Sequence, residues 1–247
     1  SAKFDNAFRD PRNIDNIVAK RGALFMVELK HFVQSKGFTV AHIKTDSIKI
    51  PNATPEIIDL VMEFGKEYGY DFEHEATYEK LCLVNDAVYI AKTQPGRRPA
   101  KWVATGAQFA HPYVYKTLFS GEKVEFRDLC ETKTVSTALY LDYDSVEKPM
   151  FEGEPVPRFV GKAGMFVPIE KDKGGAILLR ERKDAENEPY AKRFSAATGT
   201  TGYLWLEAED VKTLNKQKDI DMNYFENLVY DAKQKIGEFG DANSFVD

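Results

Sequence analysis

The 247 residues hold only two cysteines, Cys82 and Cys130, and four scattered histidines. That is too few for a disulfide framework, and the spacing gives no zinc site. No apolar run approaches the roughly 18 residues that a transmembrane helix needs, and no basic-then-apolar leader opens the chain. The sequence therefore predicts no membrane partner and an intracellular protein. Patterned serine or cysteine nucleophiles, Walker loops and paired-glycine dinucleotide fingerprints are lacking. Gly199-Thr200-Thr201-Gly202 is too short for a phosphate cradle and reads as a plain turn. Cys82, in an apolar strand, reads as a small buried side chain. His42, two residues from Val40, reads as a satisfied sheet residue with no metal role. Internal repeats and low-complexity tracts are missing as well.

What is present is an ordinary globular composition, 43% hydrophobic and 30% charged with mean hydropathy −0.44, which excludes wholesale disorder. The net charge of −5 argues against a nucleic-acid binder when taken as an average. The distribution argues otherwise. Between residues 87 and 121 there are five basic residues, Lys92, Arg97, Arg98, Lys101 and Lys116, and no acid. Residues 219–247 carry seven acids against two lysines. A charge run is ordinarily a solvated face, yet an acid-free basic stretch inside an acidic chain points to a local anionic partner.

Ser1-Ala2 reads as a cloning remnant, so the natural chain is expected to begin upstream. From Asn13, apolar residues recur at helical spacing through Phe25, Leu29 and Val33, and Gly37 stands where a left-handed cap belongs. Residues 39–43 and 47–50 are short β-prone runs joined by Lys44-Thr45-Asp46, a hairpin with a polar crest. Thr54-Pro55 predicts a helix start, and the apolar face from Ile57 to Tyr68 a helix running to Gly69. Strands are expected at 71–84, 87–92 and 102–109, with Asn85-Asp86 as a turn. Beyond a boundary near residue 110 the pattern turns to irregular β segments at 138–143, 159–168 and 176–182, and a helix from Met222 closes the chain. The fold class is α+β.

Asp46 is the informative position. A carboxylate on a tight hairpin tip, backed by two amphipathic helices, is one way to hold a divalent cation against phosphate oxygens. The plainer reading is an aspartate that simply forms a turn.

The order of elements resembles the C-terminal half of the palm of family B DNA polymerases, phage-type members in particular. The family's hairpin motif is Tyr-Gly-Asp-Thr-Asp-Ser, where this chain has His42-Ile43-Lys44-Thr45-Asp46-Ser47. Asn16 through Phe25 is similar to the helix before that hairpin. Glu75 through Lys80, with Tyr78, and Asn85 through Lys92 resemble the family's Glu-x-x-Tyr strand and Lys-Lys-Arg-Tyr segment. Thr105-Gly106-Ala107 is placed like the Lys-Gly strand before the thumb. The likeness spans roughly residues 12–110.

The resemblance implies residues 1–110 as the C-terminal part of a palm and residues 111–247 as a thumb-like region, the latter by position alone. It implies template-directed nucleotidyl transfer to primer-template DNA from a dNTP, with Mg²⁺, in the cytoplasm of a phage-infected or prophage-carrying bacterial host. By carry-over Asp46 is the catalytic, metal-binding residue. Lys44 replaces the first aspartate of the motif, and Glu75 falls beside the metal site. Tyr89 and Lys92 fall on the DNA-contacting segment, with Arg97, Arg98 and Lys101 as further backbone contacts. The family's other metal-binding aspartate and its nucleotide-holding lysine and tyrosine lie upstream of this stretch, so the chain alone is expected to be catalytically silent. The alternative is a non-catalytic nucleic-acid-binding module that keeps a degenerate palm hairpin.

Overall fold

The computed structural model describes residues 17–96, 99–143 and 156–247. It is an α+β protein that divides into two compact units, Ser1–Val103 and Ala104–Asp247. The division falls a few residues ahead of the boundary expected near 110. Among the described residues no helix is long and apolar enough to cross a membrane.

In the first unit, helix α1 (Ile17–Ser35) buries Phe25, Met26, Leu29 and Val33, a stripe at spacings of three and four residues that turns one face inward. It ends as the sequence predicts: Gly37 adopts φ 85°, and the Phe38 N–H reaches back to the Val33 carbonyl at 3.3 Å. Hairpin strands β1 (His42–Lys44) and β2 (Ser47–Lys49) follow. Helix α2 (Pro55–Glu67) begins at extended Thr54, whose hydroxyl accepts the Ile57 N–H at 3.4 Å. Its buried residues Ile57, Val61 and Gly65 are spaced by four. A side chain at Gly65 would meet Phe72 at 2.7 Å, so glycine is what lets the chain fold back over α2. Around Phe25, the rings of Phe64, Tyr68, Tyr70 and Phe72 have centroids 4.4 to 5.8 Å away.

Strands β3 (Tyr78–Asn85), β4 (Val88–Thr93) and β5 (Trp102–Thr105) form a sheet in that order. The Asn85 side chain accepts the N–H groups of Ala87 and Val88, at 2.9 and 3.0 Å, and so makes the expected turn. Two strand bounds differ from expectation. Residues 71–77 form no ladder, and the strand begun at Trp102 stops at Thr105, because Gly106 at φ 85° turns the chain into a short helix.

The second unit opens with short helices α3 (Ala107–Ala110) and α4 (Pro112–Tyr115). Its β segments, expected to be irregular, join in one five-stranded antiparallel sheet in the order β10-β7-β6-β8-β9. The strands are β6 (Glu131–Asp142), β7 (Arg158–Ile169), β8 (Ile177–Glu181), β9 (Phe194–Ala196) and β10 (Leu204–Glu207). A one-turn helix, α5 (Tyr190–Arg193), leads into β9, and α6 (Ala208–Thr213) follows β10. The expected closing helix is α7 (Met222–Gly237), followed by α8 (Ala242–Val246). Trp205, Phe166, Phe225, Leu139 and Leu141 are fully buried in this core. The Gly199–Gly202 segment is a turn, as expected, and its buried Thr200 accepts the Trp205 indole N–H on its carbonyl at 3.1 Å.

Candidate functional site

The hairpin register pairs His42 with Lys49, Ile43 with Ile48 and Lys44 with Ser47. Side chains alternate across a strand, so Ile43 and Ile48 share one face, and both pack on the α1/α2 core. His42, Lys44, Ser47 and Lys49 share the other. The turn places Asp46 at the tip, exposed to solvent. Thr45 beside it sits at φ 52°, a left-handed conformation that is uncommon for a β-branched residue and costs on the order of 1–3 kcal/mol. Such strain persists where the surroundings hold it, and here the helix pair anchors both strands.

Beneath the polar face lies the β3/β4 sheet. The Lys49 ammonium stands 4.8 Å over the ring of Tyr89, which is only 9% exposed. Burial lowers the Lys49 pKa; Glu75 opposes that shift and Lys44 adds to it. Burial likewise raises the Tyr78 phenol, with Tyr89 and Glu75 adding to the effect. The structure thus brings Glu75, Lys44, Lys49, Tyr78 and Tyr89 into one electrostatic neighbourhood. Lys49 was missed in the sequence, although alternation through a two-residue turn puts it on the face of His42 and Lys44.

His42 corrects the sequence reading. It is 4% exposed, and neither ring nitrogen has a hydrogen-bond partner. The nearest charge is the exposed Asp86 carboxylate, 4.0 Å from Nε2, too far for a hydrogen bond. Cys82 is buried as expected, and burial raises its thiol pKa.

Asp46 is the expected Mg²⁺ ligand, but a hard cation takes about six oxygen ligands. Among the described residues no three His, Cys, Asp or Glu side chains come together where they could hold a metal ion. Glu75 is exposed on the segment before β3. The residues present therefore do not by themselves make a magnesium site.

Of the basic positions, Lys92 lies on β4 with its ammonium 5.5 Å from the ring of Trp102, and Lys101 is exposed just before β5. Arg97 and Arg98 lie outside the described residues.

The second unit holds a cluster with no signature in the sequence. His111, Arg127, Asp128, Cys130, Glu131 and Met165 are among the residues lining a cavity of about 340 Å³. The Glu131 carboxylate accepts the Tyr224 hydroxyl at 2.9 Å and pairs with Lys133 at 3.2 Å. His111 accepts the Tyr113 N–H on Nδ1 at 3.2 Å, which leaves the proton on Nε2, 2.9 Å from Glu131. That approach does not meet hydrogen-bond geometry. Burial alone would raise the Glu131 pKa; His111, Lys133 and Tyr224 outweigh it and hold the carboxyl at about 2. The His111–Glu131 contact and the Tyr224–Glu131 hydrogen bond tie α4, β6 and α7 together.

No model of a known protein family matches the chain, and no curated protein matches it.

Proposed function

We propose that the chain is the C-terminal part of the palm, with a thumb-like region, of a family B DNA polymerase of phage type. The observation that carries this reading is Asp46, exposed on the strained tip of a two-residue hairpin whose apolar face is clamped by two helices and whose polar face looks onto a sheet bearing Tyr89 and Lys92. The order helix, hairpin, helix, antiparallel strands agrees with the ordered motifs of the resemblance. On this reading the partners are primer-template DNA and a dNTP, and the full enzyme uses Mg²⁺ to stabilise charge as the primer 3′-hydroxyl displaces pyrophosphate. Asp46 supplies one carboxylate toward that metal. Lys92, Lys101, Arg97 and Arg98 meet the phosphate backbone, a contact that carries no sequence information and so suits a template-copying enzyme.

The test is fluorescence anisotropy of labelled primer-template DNA across a salt series. Wild-type protein binds, and Arg97→Ala/Arg98→Ala/Lys101→Ala weakens binding while reducing the salt slope by about one per lost phosphate contact. No binding at low salt overturns the reading.

A second reading, a nucleic-acid-binding module with a degenerate hairpin, is favoured by Lys44 and by the solitary Asp46 carboxylate at the tip. DNA affinity that neither Mg²⁺ nor Asp46→Asn changes selects it over the polymerase.

A further inference from the structure

The sheet of the second unit carries a row of aromatic rings on the face turned away from its core. Tyr140 on β6 is paired with Phe159 on β7 and with Leu179 on β8, and Leu179 with Ala196 on β9. Paired residues share a face, and alternation along β9 puts Phe194 on the side of Ala196. Leu139, Leu141 and Leu178, next to these residues in their strands, belong to the core with Trp205 and Phe225. Ring centroids lie 5.5 Å apart for Phe159 and Tyr140, 5.0 Å for Tyr140 and Phe194, and 5.1 Å for Phe194 and Tyr190. The Tyr190 hydroxyl donates to the buried Asp142 carboxylate, which fixes that end of the row. At the other end Phe159 is 64% exposed.

Cations frame the rings. The Arg193 guanidinium lies 5.0 Å from the Phe194 ring centroid and donates from Nε to Glu181 at 3.0 Å. Arg180, Arg182 and Lys192 are exposed, so residues 180–182 and 190–196 hold four cations and the single acid Glu181. The acids of the intervening loop, Asp184, Glu186 and Glu188, lie outside the strands. Contiguous exposed apolar surface marks a binding site. Nucleobases stack on aromatic rings whatever their sequence, while neighbouring cations take the backbone phosphates.

We propose that Phe159, Tyr140 and Phe194, with the cations around Arg193, form a stacking platform for single-stranded nucleic acid. The inference goes beyond the reading above, which gives residues 111–247 a DNA role by position alone and names no residue there.

Anisotropy titrations of a labelled oligo(dT) of about 12 nucleotides test the platform on the full chain, with wild type, Phe159→Ala, Phe159→Leu, Phe159→Trp and Lys192→Gln. Phe159→Ala and Phe159→Leu are each expected to weaken binding about tenfold with the salt slope unchanged, and Phe159→Trp to bind at least as tightly as wild type, because stacking needs a ring and not merely an apolar surface. Lys192→Gln is expected to lower the slope by about 0.7. Thermal midpoints equal to wild type show that the variants fold. Oligo(dT) affinity that neither Phe159→Ala nor Phe159→Leu lowers overturns the platform. So does wild-type protein that binds no oligo(dT) but takes up a proline-rich peptide through Phe159. Duplex primer-template DNA, titrated in parallel, separates this inference from the polymerase reading. Duplex binding that depends on Arg97, Arg98 and Lys101, with no effect of Phe159 on oligo(dT), removes the platform and leaves that reading standing. Ring-dependent oligo(dT) binding by a chain that holds no duplex does the reverse.

Discussion

The two units treat their polar groups in opposite ways. In the first, a buried imidazole has no hydrogen-bond partner and a threonine holds a left-handed backbone. In the second, buried carboxylates are matched: Glu131 accepts from Tyr224 and pairs with Lys133, and Asp128 accepts from Lys116 at 2.8 Å and from the Glu125 N–H at 2.7 Å. Matched polar groups cost little and fix a fold, whereas unmatched ones lower stability. A chain that keeps two such costs at one hairpin, an unpartnered imidazole and a left-handed threonine, is keeping them for something other than stability. The cavity cluster carries the larger pKa shift, and the hairpin carries a left-handed β-branched residue. Function is proposed at the hairpin.

Removing a core ring from the second unit should have the largest effect. Phe225→Ala is expected to cost about 3–5 kcal/mol in urea unfolding, since Phe225 is fully buried against Tyr113 and Tyr224. The Glu131 network comes next. Its carboxyl is depressed from 4.5 to about 2, so its contribution is complete above pH 4.5 and disappears as pH falls toward 2. Allowing for solvent screening, that contribution is about 2 kcal/mol. Glu131→Gln should lose a similar amount at neutral pH and flatten the acid limb of the stability curve; an unchanged limb breaks the contrast between the units.

The hairpin should respond in the other direction. Thr45→Gly relieves the positive φ and is expected to raise stability by about 1 kcal/mol. His42→Leu removes a buried polar group without a partner and should also be stabilising, by up to about 1 kcal/mol. Asp46→Asn, at an exposed tip, should change stability by less than about 0.5 kcal/mol. If thermal melts show these three substitutions destabilising the fold as strongly as Glu131→Gln, the hairpin is structural and the proposed division of labour fails.

Much of the first unit was legible because its signals are local. Thr54-Pro55 announced α2, Gly37 closed α1, and Asn85-Asp86 turned β3 into β4, each through chemistry contained within a few residues. The hairpin and its exposed Asp46 were legible for the same reason. Strand ends were not: residues 71–77 find no ladder partner, and Gly106 at φ 85° ends β5 early. Less of the second unit could be read, because its sheet and its cluster are made by distant pairings. Tyr224 reaches Glu131 across 93 residues, and no periodicity announces such a contact. Lys49 lay between these cases. Alternation gives the face of each residue, but only the register brings the partners together.

The chain has two tryptophans, and each unit contains one, Trp102 in the first and Trp205 in the second. Trp205 is enclosed, with its indole N–H bonded to the Thr200 carbonyl, so its emission is that of a dry, rigid site and reports the integrity of the sheet core. Trp102 lies under an ammonium group, and a charge moving at that distance changes the energy and yield of an indole excited state. Trp205→Phe therefore leaves a protein whose only tryptophan signal comes from the sheet beside the hairpin, and Trp102→Phe leaves one whose tryptophan watches the other unit alone. The two halves of the molecule can be followed separately by light, with no label attached.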